Sequence, residues 1–144
     1  ADDPAATRDV LGRICTGSLD AYAHRDVQRY GLAKAVEVTI EELEDMPNGT
    51  GWDRWRLAYA PDGDVVGIVL GTRNPTAATI GYLGVVPEHR GHRYSDDLVI
   101  EALHVFVAGG EKLVIDATDV GNAPMAASFT RCNYKVTGRR MIFT

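Results

Sequence analysis

The chain reads as a single α/β domain of the α+β kind, a mixed and mostly antiparallel sheet flanked by helices. Three observations predict it. Three strand-like runs, "RWRLAYA", "VVGIVLG" and "AATIGYLGVV", follow one another across short turns. Segments with helical spacing lie on both sides of that block. The 144 residues, 45% of them hydrophobic, suffice for one core, so residues 1–144 are expected to form one domain.

Each element follows from local chemistry. Asp3 before Pro4 caps and opens a helix, and Val10, Leu11 and Ile14 recur on one side of it. Gly17 and Ser18 break it, after which Leu19, Tyr22, Ala23 and Val27 carry a helical period toward Tyr30. "TIEEL" offers a capping box, Thr39 with Glu42, for a short further turn. From Trp55 the period becomes two, with Trp55, Leu57 and Tyr59 on one face. "PDGD" is a turn, and the second and third strands complete a meander. From Ser95 the spacing is helical again, Leu98, Val99, Ala102, Leu103 and Phe106 sharing a face until Gly109 and Gly110 stop it. "KLVID" reads as a short buried strand and "NAPMAASFTR" as a helix capped by Asn122. "YKVTGRRMIF" reads as a closing pair of strands around Gly138.

Composition narrows the partners. A formal charge of −5 and a pI near 5.3 argue against a broad basic surface for nucleic acid. Cys15 and Cys132, the only cysteines, form no CxxC pair and no thiol–imidazole cluster, so neither a disulfide scaffold nor a metal site is expected. Each is expected to be a small core residue. No apolar run approaches the roughly 20 residues of a membrane span, and "ADDPAATRDV" lacks a signal-peptide pattern. A cytoplasmic location is expected. The chain opens on Ala, so its first residues are expected to be a processed or truncated start.

Against that acidic background, "VVPEHRGHRYS" sets Arg90, His92 and Arg93 around Gly91 between a strand end and a helix start. The first amides of a helix lack partners and its dipole is positive there, so a phosphate is the favoured guest. The chain contains neither GxxxxGK[ST] nor a GxGxxG after a strand, which excludes the two common nucleotide loops.

This segment resembles motif A of the GCN5-related N-acetyltransferases (GNAT), in which a strand ending V-x-P leads into R/Q-x-x-G-x-G/A and a long helix. "NAPMAASFTRCNY" resembles motif B, an asparagine that opens a helix followed by a glycine–aromatic pair, here Asn133 and Tyr134. The resemblance covers roughly residues 52–143. It implies a GNAT-type sheet and acetyl-coenzyme A as acetyl donor, with no metal. Its pyrophosphate would be cradled by Arg90, Gly91, His92, Arg93, Tyr94 and Ser95, mainly through main-chain amides. Leu83 and Val85 would hold the acetyl and pantetheine groups by backbone, Val86 would continue that edge, and Asn122 would lie near the pantetheine or phosphate arm. It also implies a small-molecule or peptide amine as acceptor, with pairing as a homodimer or tandem domain as the family's habit. The family's first strand is not evident and is expected to be absent or upstream of residue 1.

The departures from the pattern bear on catalysis. Arg93 and Ser95 replace small residues of motif A. Phe129 stands seven residues after Asn122, where many members carry a tyrosine that protonates the thiolate, and Thr79 stands where a glutamate base is common. Tyr82, Asp116 or His89 can serve through water, but spacing selects none of them, and the catalytic residue stays unassigned. Two alternatives follow: a degenerate domain that keeps the fold and binds coenzyme A or a partner without catalysis, as a regulatory or interaction module, and one that binds no cofactor, its basic turn being only structural. Trp52, Trp55, Tyr59 and Tyr22 can line an acceptor pocket, although core packing accounts for each.

Overall fold

The computed structural model describes residues 3–16, 21–46 and 51–143, the side chains at 21 and 22 excepted. The expected break at Gly17 and Ser18, Leu19, and the Tyr22 side chain lie outside these. Helices α1 (Pro4–Cys15), α2 (Ala21–Tyr30) and α3 (Leu32–Glu44) precede strands β1 (Trp55–Tyr59), β2 (Val65–Arg73) and β3 (Ala78–Val85). Helices α4 (Tyr94–Ala108) and α5 (Ala123–Arg131) follow. The sheet order is β1-β2-β3, antiparallel throughout. No helix among the described residues is long and apolar enough to cross a membrane.

The first helix starts as its sequence dictates: Asp3 Oδ1 accepts the Ala6 N–H at 3.0 Å, with Pro4 in the first turn. The third does not. Thr39 sits inside α3, its hydroxyl donating back to the Ala35 carbonyl at 3.1 Å, so the Thr39–Glu42 capping box does not form. The helix begins seven residues earlier, at Leu32, behind Gly31 with φ of +81° and no side-chain cap. Ala35, Val36, Ile40 and Leu43 then make one buried stripe.

Helices cover both faces of β2, which is why it is buried along nearly its whole length. Ile68 and Leu70 join Val10, Leu11, Ile14, Ile40 and Trp55 under α1 and α3, whereas Val69 faces Leu98, Ala102 and Phe106 of α4. Each of the fully buried Val, Leu, Ile and Phe side chains among them contributes about 1.5–3 kcal/mol. Two glycines let the first layer approach. A Cβ on Gly84 would strike Ile14, and one on Gly81 would strike Leu43.

Gly81 is also the extra residue of a bulge: Leu70 faces Tyr82 and Gly71 faces Ile80, so nothing on β2 opposes Gly81. A bulge bends the strand and sharpens its twist, and it lies where the next chain segment leaves β3. "KLVID" does not form the expected buried strand. Ala78 donates to the Leu113 carbonyl and accepts from the Ile115 N–H, both at 3.0 Å, which makes one isolated parallel bridge. The next ladder bond would join the Ile80 N–H to the Ile115 carbonyl. Instead Ile80 donates to Asp116 Oδ1 at 2.6 Å. A side chain takes the place of a strand carbonyl, and Leu113 and Ile115 are left about half exposed.

The expected closing pair of strands is likewise not formed; residues 135–143 carry no strand, and Val136, Met141, Ile142 and Phe143 are exposed. The edge they would extend ends at Asp116. The stop of α4 is as expected. Gly110, with φ of +84°, lets its own N–H reach Val107 and the Glu111 N–H reach Phe106. Glu111 thereby meets Arg54 at 2.8 Å and Arg73 at 3.1 Å, joining the head of β1, the tail of β2 and the end of α4.

Candidate functional site

The loop after β3 turns twice through backbone that side chains rarely adopt, with φ of +86° at Gly91 and +60° at Arg93. A Cβ on Gly91 would meet nothing within 4 Å, so open space faces this backbone. Arg93 stands at the N-cap of α4, and no side chain caps the helix there. Among the described residues, the N–H groups of Gly91, His92, Arg93, Tyr94 and Ser95 meet no protein acceptor. Five consecutive donors at the positive end of a 15-residue helix form an anion cradle.

Arg90 does not reach into that cradle. Its Nε donates to the Val85 carbonyl at 3.1 Å and its Nη2 to the Ile14 carbonyl at 3.4 Å, so the guanidinium ties the loop to the end of β3 and to α1. His92 and Arg93 are exposed, and Tyr94 is half-buried between the His89 and His92 rings, each 6.1 Å away. Val86 turns inward: it is fully buried, and its N–H donates to the Val66 carbonyl at 2.9 Å. By strand alternation, Leu83 and Val85 then turn their N–H and C=O groups toward the open edge, where the Val85 carbonyl already accepts from Arg90.

Asp96, in the first turn of α4, ties α5 to the cradle. Its carboxylate accepts from Arg131 at 2.6 and 2.8 Å and from the buried Ser128 hydroxyl at 2.5 Å. Arg131 first, then Ser128, holds this carboxyl down at about 2. The Cys132 thiol lies 3.7 Å from the Asp96 carbonyl, and burial pushes its pKa up. Asn122 caps α5, its Oδ1 accepting the Met125 N–H at 3.4 Å. Arg131 offsets the charge of Asp96, one of two carboxylates in the first turn of α4; Asp97 is exposed.

At the far end of the open edge, Asp116 fills the wedge between β3 and residues 113–115. Besides the Ile80 N–H, its Oδ1 accepts from the Thr79 hydroxyl at 3.0 Å, and its Oδ2 accepts from the Tyr134 hydroxyl at 2.7 Å. Burial pushes the Asp116 pKa up against these three donors. The Tyr134 pKa is pushed up by burial and by the carboxylate, so the phenol stays neutral. Of the other candidates, His89 Nε2 lies 4.0 Å from Asp64, and the Tyr82 hydroxyl lies 3.6 Å from Cys15 Sγ. Both point away from the wedge.

Tyr134 is the functional candidate that sequence reasoning missed. It reaches Asp116 through the end of α5, where Asn133 adopts φ of +68°, its N–H bonds Thr130, and the Tyr134 N–H bonds Phe129. The ring folds back on Phe129 with centroids 4.8 Å apart. This is a Schellman ending, and Asn133 fills the left-handed position that glycine usually takes. Asparagine followed by an aromatic after a helix is the signal that could have found it. Trp55 is fully buried against Trp52 and belongs to the core, whereas Tyr59 is exposed. No group of His, Cys, Asp and Glu among the described residues could hold a metal ion.

Residues 28–134 match the model of the acetyltransferase (GNAT) family. No curated protein sequence matches the chain. Several solved structures share its fold, including a regulator and an acetyltransferase. A transcriptional regulator from Bacillus halodurans C-125 aligns with a TM-score of 0.69 at 16% identity, covering 99% of this chain and 95% of that one. An aminoglycoside antibiotic 6'-N-acetyltransferase from Acinetobacter haemolyticus aligns with a TM-score of 0.63 at 13% identity, covering 99% and 93%. With a family model matching most of the chain, and a fold shared with both of these structures, the chain belongs to the GNAT acetyltransferase family.

Proposed function

We propose that the protein transfers an acetyl group from acetyl-coenzyme A to an amine, with Gly91–Ser95 holding the donor's pyrophosphate. The run of five unpartnered amides beside an open strand edge carries this reading. A diphosphate matches the cradle in charge and in its many acceptor oxygens, and the Leu83 and Val85 edge matches an extended chain of amides such as pantetheine. Asn122 caps the neighbouring helix α5, and we assign it to the side of the donor's binding site.

The reaction needs an uncharged amine held against the thioester carbonyl, a donor for the oxyanion, and a path for one proton. The free Leu83 N–H on the open edge is the donor we assign to the carbonyl oxygen. The acceptor class we assign is a small-molecule or peptide amine. Calorimetry with acetyl-coenzyme A, followed by thiol release over a panel of amines, tests the reading. Binding with turnover supports it, and no binding removes it. Binding without turnover on any amine favours a module that holds the thioester without transferring it, a reading that Phe129 and Thr79 support.

A further inference from the structure

We propose that Tyr134 and Asp116 act together as the proton carrier of the acyl transfer, the Tyr134 hydroxyl touching the amine and Asp116 holding the proton behind it; this rests on the transfer reading above. Three observations support the pair. It stands at the apex of the wedge where the open edge of β3 begins. It joins a phenol to a half-buried carboxylate through one hydrogen bond, Oη to Oδ2 at 2.7 Å. And the two oxygens of Asp116 are unequal. Oδ1 accepts from both Ile80 and Thr79, whereas Oδ2 accepts from Tyr134 alone and keeps a lone pair for a proton.

No charged side chain among the described residues acts on this carboxylate; burial and its three donors set its basicity. A raised carboxyl pKa suits a group that must take a proton and return it. The steps balance without a further reactant. The amine nitrogen forms the C–N bond and the carbonyl electron pair moves to oxygen. The nitrogen's proton passes to Tyr134 Oη as the phenolic proton passes to Asp116 Oδ2. When the intermediate collapses, the C–S bond breaks with its pair going to sulfur, and Asp116 returns its proton through Tyr134 to the thiolate. The net change is one proton carried from nitrogen to sulfur, with both side chains restored.

A purely structural role is the competing account, since the same bond pins the chain after α5 to β3. Tyr134→Phe separates the two, because it keeps the ring on Phe129 and removes only the hydroxyl. Thiol release by this variant is expected to fall about 100-fold in kcat, with calorimetric affinity for acetyl-coenzyme A unchanged. Asp116→Asn is expected to fall at least as far. In the wild type, a weakly basic acceptor leaves the acid limb of kcat/KM to the enzyme, and that limb is expected above the ordinary carboxylate range and to vanish in Asp116→Asn. Wild-type turnover in Tyr134→Phe, or an acid limb unmoved in Asp116→Asn, overturns the pair while leaving acetyl transfer standing. If wild type binds the thioester but releases no thiol with any amine, both the transfer reading and the pair fall.

Discussion

Asn133 shows how one residue's backbone tolerance decides where a side chain several ångströms away arrives. Asparagine accepts left-handed backbone more readily than other residues bearing a Cβ, and glycine more readily still. Asn133→Gly is therefore expected to stay within about 0.5 kcal/mol of wild type, and Asn133→Ala to lose about 1 kcal/mol. Urea denaturation distinguishes them, and equal stability of the two variants would show that the helix ending does not depend on φ. A second prediction concerns Asp96. Its folded pKa of about 2 lies below the ordinary 3.8, so the ionised form favours the fold. That contribution, at most about 2 kcal/mol, is present in full above pH 4 and is lost as pH falls toward 2. The stability gap between wild type and Asp96→Asn is expected to close over that window; a gap that stays constant would mean the Arg131 pair does not survive in solution. Both helix caps, Asp3 and Asn122, were legible in the sequence because capping is local. The meeting of Tyr134 with Asp116 was not, because it depends on how α5 docks on α4 through Asp96.

At the scale of elements, local periodicity identified the three strands, α4 and α5, and the turn into α4. It failed at the start of α3, where Gly31 offers no capping side chain to read, and at "KLVID", whose apolar run is that of a buried strand. Asp116 is what ends that ladder, and no run of apolar residues records where a carboxylate will outcompete a carbonyl for Ile80. The same interruption left "YKVTGRRMIF" without an edge to join, so its strand-like pattern went unused. Two predictions belong here. Gly84→Ala places a methyl against Ile14 in the contact between α1 and β3 and is expected to lose about 1–3 kcal/mol, read as a lowered melting temperature. An unchanged melting temperature would show that α1 has room to move. His92→Glu puts a carboxylate beside the free amides at an exposed position without touching the core. It is expected to weaken acetyl-coenzyme A binding about tenfold or more with little change in stability, and an unaltered affinity would take the loop out of the site.

For the whole molecule, the acetyl-transfer reading makes the cradle and the wedge two ends of one binding site built from different parts of the chain. β3 supplies the open edge, α4 the amides, and α5 with its Schellman ending the far side. Asp96 holds α5 on α4 through Arg131 and Ser128, and Glu111 ties the other end of α4 to β1 and β2 through Arg54 and Arg73. A ligand lying along that site would bridge all three elements in the folded state and none in the unfolded chain. Mass action then fixes the size of the effect: at 100 times its dissociation constant, a single-site ligand adds about 2.7 kcal/mol. For a domain of this length that is a rise in melting temperature of roughly 5–10 °C. Hydrogen exchange is expected to slow at the amides of Gly91–Ser95 and at Leu83 and Val85, and not at Val86, whose N–H is already bonded to Val66. Protection confined to the loop would mean that the pyrophosphate end binds while the open edge stays solvated, which would break the link between the cradle and the wedge on which transfer depends.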